Sequence, residues 1–381
     1  MNNTNQIKTV KGTFWGAAAF YLLIAFEFFY MASPFAVYFY SVYRPVLNFF
    51  NDSPLLAGLI IYFMPHFTET SSVIINSHNI LGGILALSGF LAFCVGASQV
   101  YYHKLAKKGA VTGGIYNFIR HPQYASFIVC SFGLLLLWPR YIVLIMFITM
   151  IFAYYLLAKV EEKECEAKFG QTYLDYKNKT NMFLPFRLPF KIAPLFRFKR
   201  KSAKLLALVG IYILTLTIGI GIAKGLNTLT LNSLYAVYTE NSASISMSGI
   251  DIDKLHKIIN IAGKNKDVKA RLEKFTSGTD SKFLNYVLPS EWYAAEIPMN
   301  GMGPMGRHTA ASNYNKNEYK IIFTKAHMRT NDRIQGKDII MNVSKREAIV
   351  EVWVDVADGK VTKIMDMPKK IMYENIPVAL Y

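Results

Sequence analysis

Long apolar stretches constrain this chain more than any other feature of its sequence. Three of them, Phe14–Ser33, Ile80–Tyr102 and Leu205–Ala223, are almost free of charged residues. A helix of about 20 apolar residues is long enough to cross the hydrocarbon core of a bilayer. Because backbone N–H and C=O groups must pair with one another inside the membrane, each stretch predicts a transmembrane helix.

A fourth apolar region, Ala125–Ala158, is long enough for two shorter spans. The string WPRY at Trp138–Tyr141 interrupts it with a proline and a charge, which is typical of a tight turn between helices. The sequence therefore predicts five spans. The segment Leu55–Met64 lies between Pro54 and Pro65 and is too short for a span, so we interpret it as a re-entrant or interfacial piece. If this segment crosses the bilayer instead, the count becomes six and the N-terminus lies on the opposite side of the membrane.

The net charge of +17 raises the question of nucleic-acid binding, but its distribution argues against that function. Residues 1–224 contain 21 Lys and Arg, and in the five-span arrangement 18 of these lie on the side of the N-terminus. Only Arg44, Arg140 and Lys224 lie on the other side. Lys and Arg concentrate on the cytoplasmic side of membrane proteins. The basic surplus therefore predicts a cytoplasmic N-terminus and indicates no nucleic-acid partner.

The chain divides into a transmembrane domain, residues 1–224, and a soluble domain, residues 225–381, which contains no further span. Because five spans, an odd number, separate it from the cytoplasmic N-terminus, the second domain is predicted to be extracytoplasmic. Its helical spacing at Asp251–Phe275, interrupted near Gly263, and its strand-like segments Glu318–Met328 and Arg346–Met367 predict an α+β fold. The turn ADGK predicts a hairpin within the last segment. The predicted fold class is thus an α-helical integral-membrane domain of about five helices followed by a C-terminal α+β extracytoplasmic domain.

The string GGIYNFIRHPQYASF, from Gly113 to Phe127, places Arg120 and His121 where Pro122 opens a membrane helix. The N-terminus of a helix favours an anion. The glutamates Glu161 and Glu162 follow the next helical hairpin and leave the bilayer on the same side. The positive cluster at the start of this hairpin and the carboxylate pair at its end predict a cytoplasmic pocket that suits a zwitterionic or cationic metabolite. In the alternative interpretation, Arg120 snorkels to lipid phosphates and the two glutamates are solvated charges at a helix end.

The strings VTGGIYNFIRHPQY and EEKECEAKFGQTYLDYKNKTNMFLP resemble the isoprenylcysteine carboxyl methyltransferase superfamily, which includes phospholipid and thiol methyltransferases. The resemblance covers about Ile80 to Phe186. It implies an integral-membrane methyltransferase that uses S-adenosylmethionine at the cytoplasmic face and takes a lipophilic or small thiol, amine or carboxylate acceptor. It implies no metal, and no catalytic residue is assigned. The cofactor-binding residues that it implies are Lys108, Gly109, Ala110, Val111, Tyr116, His121, Pro122, Gln123, Tyr124 and Glu161.

Two positions depart from the pattern of the superfamily. Ser126 stands where many members have glycine, and Leu157 stands where the prenylcysteine enzymes have an arginine that binds substrate. A carboxylate acceptor therefore lacks its expected partner, which favours a neutral or lipophilic acceptor such as a small thiol or a lipid. The preceding span offers only Ser98, Gln99 and His103 as polar groups near the pocket.

Two other functions compete with methyl transfer. The chain can be a non-catalytic membrane sensor or scaffold that keeps the donor pocket and works through residues 225–381. It can also be a metal-handling protein, because Met299, Met302 and Met305 recur every third residue and His308 continues the spacing. Thioether ligands of this kind suit Cu(I), whereas a flexible Gly/Pro loop with surface methionines explains the same pattern without metal.

Overall fold

The computed structural model describes residues 36–106, 111–185, 201–276, 281–300, 314–330, 333–368, 371 and 373–381, together with Leu22 and Ala25. Its helices are α1 (Ala36–Asp52), α2 (Val73–Asn76), α3 (His78–Leu105), α4 (Pro122–Leu137), α5 (Tyr141–Phe169), α6 (Gln171–Lys179), α7 (Lys201–Ser233), α8 (Ile252–Lys264), α9 (Lys266–Glu273) and α10 (Asp338–Asn342). Its strands are β1 (Ala236–Tyr238), β2 (Ser242–Ser246), β3 (Lys282–Pro289), β4 (Glu318–Met328), β5 (Val343–Asp355) and β6 (Lys360–Asp366).

Among the described residues, three helical runs are long and apolar enough to cross a membrane: Val73–His103, Tyr141–Phe169 and Ser202–Ser233. Helix α4 is apolar but shorter. It ends at Leu137 and α5 begins at Tyr141, so the interruption at WPRY is the turn between two helices, as predicted. The first predicted span, Phe14–Ser33, lies outside the described residues except for Leu22 and Ala25. Three long apolar helices and α4 thus support a helical membrane domain.

The chain separates into two compact units. The first, here called the membrane unit, contains residues 1–32, 78–138 and 143–222. The second, the sheet unit, contains residues 33–77, 139–142 and 223–381. Two segments that precede residue 224 therefore group with the C-terminal part of the chain.

Helices α3 and α4 approach closely in the membrane unit because glycines line their contact. Gly82, Gly89 and Gly96 recur every seventh residue of α3, so they share one face of the helix. A Cβ on Gly89 would lie 2.4 Å from the backbone nitrogen of Cys130, and one on Gly133 would lie 2.3 Å from the backbone nitrogen of Ala86. Only glycine fits at such positions, which is typical of helices that associate within a bilayer.

A six-stranded sheet in the order β1 to β6 forms the centre of the sheet unit. Strands β2 and β3 are parallel and are joined by α8 and α9, while all the other neighbouring strands are antiparallel. Helices α8 and α9 cover one face and build a core that includes Leu255, Ile258, Val287, Ile321 and Val352. The predicted helix breaks at Asn265, whose side chain accepts hydrogen bonds from the N–H groups of Asp267 and Val268 and starts α9.

The turn between α4 and α5 is built into the sheet unit. The N–H of Phe63 donates to the carbonyl of Pro139 at 2.8 Å, and the buried Arg140 guanidinium lies 4.6 Å from the ring centre of Tyr62. The guanidinium also lies 5.7 Å from the ring centre of Tyr40 in α1. The segment Leu55–Met64 contains only a four-residue 3-10 turn, which is too short to cross a bilayer.

Candidate functional site

The site begins where the chain enters α4. Gly114 has a φ of 62°, and a Cβ there would lie 2.3 Å from the side-chain nitrogen of Gln99, so this position requires glycine. A 3-10 turn at Gly114–Asn117 follows and buries Tyr116. The sharp bend therefore sets the 3-10 turn beside the end of α3 that carries Gln99, just before Arg120 and His121.

Backbone pairing connects this loop to the segment after α6. Ile119 and Asn181 form a parallel bridge. The N–H of Arg120 donates to the carbonyl of Asn181 at 2.9 Å, and the N–H of His121 donates to the carbonyl of Met182 at 3.1 Å. The two motif segments, about sixty residues apart in the chain, are thereby held side by side.

Arg120 binds protein groups only, among the residues that the structure describes. Its Nε donates to Oε1 of Glu162 at 2.7 Å, and its Nη1 donates to the carbonyls of Lys177, at 2.9 Å, and Thr180. These carbonyls belong to the C-terminal end of α6, where a cation is favoured. Arg120 therefore joins α5 to the end of α6 and positions the loop.

His121 and Tyr124 form the centre of the site with Glu161. The His121 and Tyr124 rings stack at 5.5 Å, and Tyr124 stacks on Tyr154 at 4.7 Å. The Tyr124 hydroxyl donates to Glu161, and Nδ1 of His121 lies 3.4 Å from Oε2 of the same carboxylate. One face of α5 thus meets the first turn of α4 through Tyr154 and Glu161.

The second ring nitrogen of His121 has no hydrogen-bond partner among the described residues, although the residue is only 8% exposed. Oε1 of Glu162 lies 3.7 Å away, too far for a hydrogen bond. Burial by itself lowers the pKa of His121, but the Glu161 and Glu162 carboxylates outweigh it and raise the pKa above its ordinary value. The site therefore favours the protonated form of His121, whose second ring nitrogen makes no close hydrogen bond to the described residues.

The two adjacent glutamates differ in environment. The Glu162 side chain is 1% exposed and lies between Arg120 and Lys177, whose Nζ is 3.0 Å from Oε2. The Glu161 side chain is 40% exposed. Glu162 is therefore part of the buried ion network, while Glu161 is the carboxylate that a ligand can reach.

Of the other predicted site residues, three are described by the structure and three are not. Pro122 is buried at the first position of α4, and Gln123 is half-buried against Gly96 of α3. Val111 is half-buried in the loop before the 3-10 turn. Lys108, Gly109 and Ala110 lie outside the described residues.

The sequence pattern missed several residues that the structure brings to the site. Tyr154 stacks on Tyr124, the Tyr176 hydroxyl donates to the carbonyl of Tyr116 at 2.7 Å, and Phe183 lies 6.0 Å from His121, ring centre to ring centre. Tyr154 lies seven residues before Glu161, which places both on one face of a helix and was the available signal. The contact of Tyr176 depends on the fold of the chain and has no such signal.

Two polar side chains lie near the C-terminal end of α3, the end beside the Gly114 turn. Oε1 of Gln99 and Nδ1 of His103 are buried and have no hydrogen-bond partner in the described part of the chain. The two residues are four apart in sequence, so they share one face of the helix. The same face lies beside Gly114, because Gln99 contacts that residue. Buried polar atoms in proteins are usually hydrogen-bonded, so these two atoms are suited to contact a ligand bound at this end of α3.

The methionine loop is mostly outside the described residues. Met299 is buried in the sheet unit, whereas Met302, Met305 and His308 lie outside the described residues. Within the described ranges, no group of three or more His, Cys, Asp or Glu side chains is arranged to hold a metal ion.

Comparison with protein-family models matches residues 77–172 to the phospholipid methyltransferase family. Comparison with curated proteins and with solved structures found no match. The matched range contains α3, α4, α5 and the first residues of α6, and so includes His121, Tyr124 and Glu161. The family is one of integral-membrane methyltransferases, in agreement with the long apolar helices. Residues 77–172 of this chain therefore form a phospholipid methyltransferase domain, a member of the isoprenylcysteine carboxyl methyltransferase superfamily.

Proposed function

We propose that this protein transfers a methyl group from S-adenosylmethionine to an acceptor that reaches the site from the bilayer. The donor is held by Tyr116, by His121 to Tyr124 and by Glu161, with backbone contacts from Lys108 to Val111. The family match supports this function, and it does not favour a non-catalytic sensor or a metal-handling protein.

The observation that carries the proposal is the pairing of His121 with Glu161. The donor molecule has a carboxylate and an ammonium on the same small group. When protonated, the buried His121 ring can donate its second N–H to the carboxylate, and the half-exposed Glu161 carboxylate suits the ammonium. The charged groups present therefore fit the donor.

The chemistry that the donor supplies is a methyl group on a sulfonium, which is reactive without a metal. The chain aligns the two partners and excludes water. Tyr124 contributes by fixing Glu161 through its hydroxyl, and Tyr154 contributes by packing against the Tyr124 ring. Arg120 and Glu162 position the loop before α4 relative to α5 and α6, and they do not contact the donor.

Leu157 supports a neutral acceptor. It is half-buried, one turn before Glu161 on α5, so it lies on the side of the helix that leads to the site. A carboxylate buried against leucine without a partner costs several kcal/mol. We therefore propose a lipid amine or a small thiol as the acceptor. Either group must lose a proton, and Nδ1 of His103 is the proton acceptor that we propose.

Methylation of defined acceptors tests this function. We expect membranes that contain the protein to transfer label from radiolabelled donor to an aminophospholipid or an alkyl thiol faster than to farnesylated cysteine. The His103→Ala variant should slow transfer to the amine and the thiol but leave donor affinity unchanged. If no fraction is labelled above membranes without the protein, the proposed activity is wrong. If farnesylated cysteine is the fastest substrate, the interpretation of Leu157 is wrong.

The composition of the sheet unit supports the proposed topology. Five spans with a cytoplasmic N-terminus leave residues 34–79, the turn at 138–141 and residues 224–381 on the outer side. The sheet unit contains residues 33–77, 139–142 and 223–381, which are nearly the same segments. We therefore propose that the donor site is cytoplasmic and that the sheet unit is extracytoplasmic.

A further inference from the structure

Helix α1 has an apolar face that no described residue covers. Val42, Val46 and Phe49 are 53%, 47% and 66% exposed, and their spacing of four and three residues places them on one stripe. The opposite side, with Tyr40 and Leu47, is buried in the sheet unit. Single exposed apolar residues are common, but a contiguous stripe of large ones marks an interaction surface.

The buried side of α1 is in contact with the end of a membrane helix. Arg140 directly precedes α5, which is long and apolar enough to cross the bilayer. Its guanidinium lies 5.7 Å from the ring centre of Tyr40, and Tyr40 shares a hydrogen bond of 3.1 Å with Tyr62. A residue at the end of a span lies at the membrane surface, so its partner Tyr40 lies there as well.

Chain continuity gives α1 a second connection to the same surface. The first predicted span ends at Ser33, and α1 begins at Ala36. Three residues cover at most about 11 Å of extended chain, so the start of α1 is close to the end of that span.

The remaining face of α1 suits the lipid headgroup region. Arg44 and Asp52 are exposed, and Asn48 is half-exposed between them in sequence. Helices that lie in the interface combine such a polar edge with an apolar face and with aromatic residues. The α1 sequence contains both tyrosine and phenylalanine on its described positions, including Tyr43 and Phe49.

We propose that α1 lies along the outer surface of the bilayer, with Val42, Val46 and Phe49 inserted among the acyl chains. Lipid is the occupant of the stripe, and Arg44 and Asp52 face headgroups and water. The helix would thereby attach the sheet unit to the membrane alongside the α4–α5 turn. This proposal does not depend on the methyltransferase activity.

Spin labels on the full-length protein in phosphatidylcholine and phosphatidylglycerol nanodiscs test the proposal. Cys94, Cys130 and Cys165 are replaced by alanine, and single labels are introduced as Val46→Cys, Phe49→Cys and, as the matched control, Arg44→Cys. The labels at the first two positions should collide more with oxygen, which dissolves in lipid, than with a water-soluble nickel complex. The label at the Arg44 position should show the reverse order. Thermal unfolding of each variant checks that the fold is retained.

Three results would overturn the proposal. Nickel collisions that dominate at both stripe positions would show that the stripe faces water. Exclusion of both reagents without spin–spin broadening would show that another segment, such as the first span, covers it. Exclusion with broadening would show that a second copy of the chain covers it.

Discussion

Glu161 and Glu162 are neighbours in sequence, but their carboxylates have different tasks. Glu162 compensates Arg120 and Lys177 in a buried network, and Glu161 is the more exposed carboxylate that we propose binds the donor. Substitution should therefore separate stability from binding at adjacent positions.

We expect Glu162→Gln to destabilise the fold by about 3–5 kcal/mol, because it leaves the buried Arg120 charge without its partner. Glu161→Gln should weaken donor binding by about 1–3 kcal/mol and leave the unfolding temperature nearly unchanged. Thermal unfolding in detergent and calorimetry with the donor measure the two effects. Equal loss of stability in both variants would contradict the division of roles.

The protonation of His121 should make donor binding depend on pH. The folded pKa is raised above the ordinary 6.5, so the charged form and the stability that it contributes are fully present below pH 6.5. Both are lost as the pH rises through the raised pKa. We therefore expect donor affinity to fall as the pH increases past that point, as measured by calorimetry.

The His121→Gln variant is the control for this effect. It keeps a hydrogen-bond donor but does not titrate, so its weaker donor affinity should stay constant over the same range of pH. A wild-type affinity that does not change between mildly acidic and alkaline pH would argue against an imidazolium in the site.

At the scale of elements, the contact between α3 and α4 depends on glycines. A Cβ on Gly89 meets the backbone of α4 at 2.4 Å, whereas a Cβ on Gly83, also in α3, meets nothing within 4 Å. We expect Gly89→Ala to separate the helices and lower the unfolding temperature by several degrees. Gly83→Ala should be neutral or slightly stabilising, because alanine favours a helix. Equal behaviour of the two variants would mean that the helices are not tightly packed in the membrane.

Periodicity and turn chemistry were sufficient to predict most of the elements. Strand β4 occupies the predicted residues Glu318–Met328, and the turn ADGK lies between β5 and β6. The break between α8 and α9 was predicted near Gly263 but lies at Asn265, since the Asn265 side chain caps the second helix. Local signals of this kind can be read from a single sequence.

Contacts between distant residues could not be predicted in the same way. The sequence predicted that the loop before α4 and the end of α5 share a site, but not that Arg120 would bind Glu162 and the end of α6. It also gave no reason for α1 and the α4–α5 turn to join the sheet unit. Such contacts depend on the packing of whole helices, which the order of residues does not reveal.

At the scale of the whole molecule, the proposed five-span topology can be measured with reporter fusions. We expect alkaline phosphatase fused after Tyr381 to be active and green fluorescent protein at the same position to be dark, because the first works only outside the cytoplasm. Fusions that end at Asn178, in the last turn of α6 and before the next span, should give the opposite pair of results. A fluorescent fusion after Tyr381 would contradict the five-span arrangement.

In the proposed five-span arrangement, the length of α4 should also affect the surrounding bilayer. Its 16 residues extend about 24 Å, whereas a hydrocarbon core is roughly 30 Å thick. A hydrophobic segment that is too short thins the lipid beside it. Headgroups next to α4 would then sink towards its first turn, where His121 and Tyr124 are located. The headgroup of a lipid acceptor would then lie closer to the site. The mismatch between the length of α4 and the thickness of the bilayer would in this way assist delivery of the substrate.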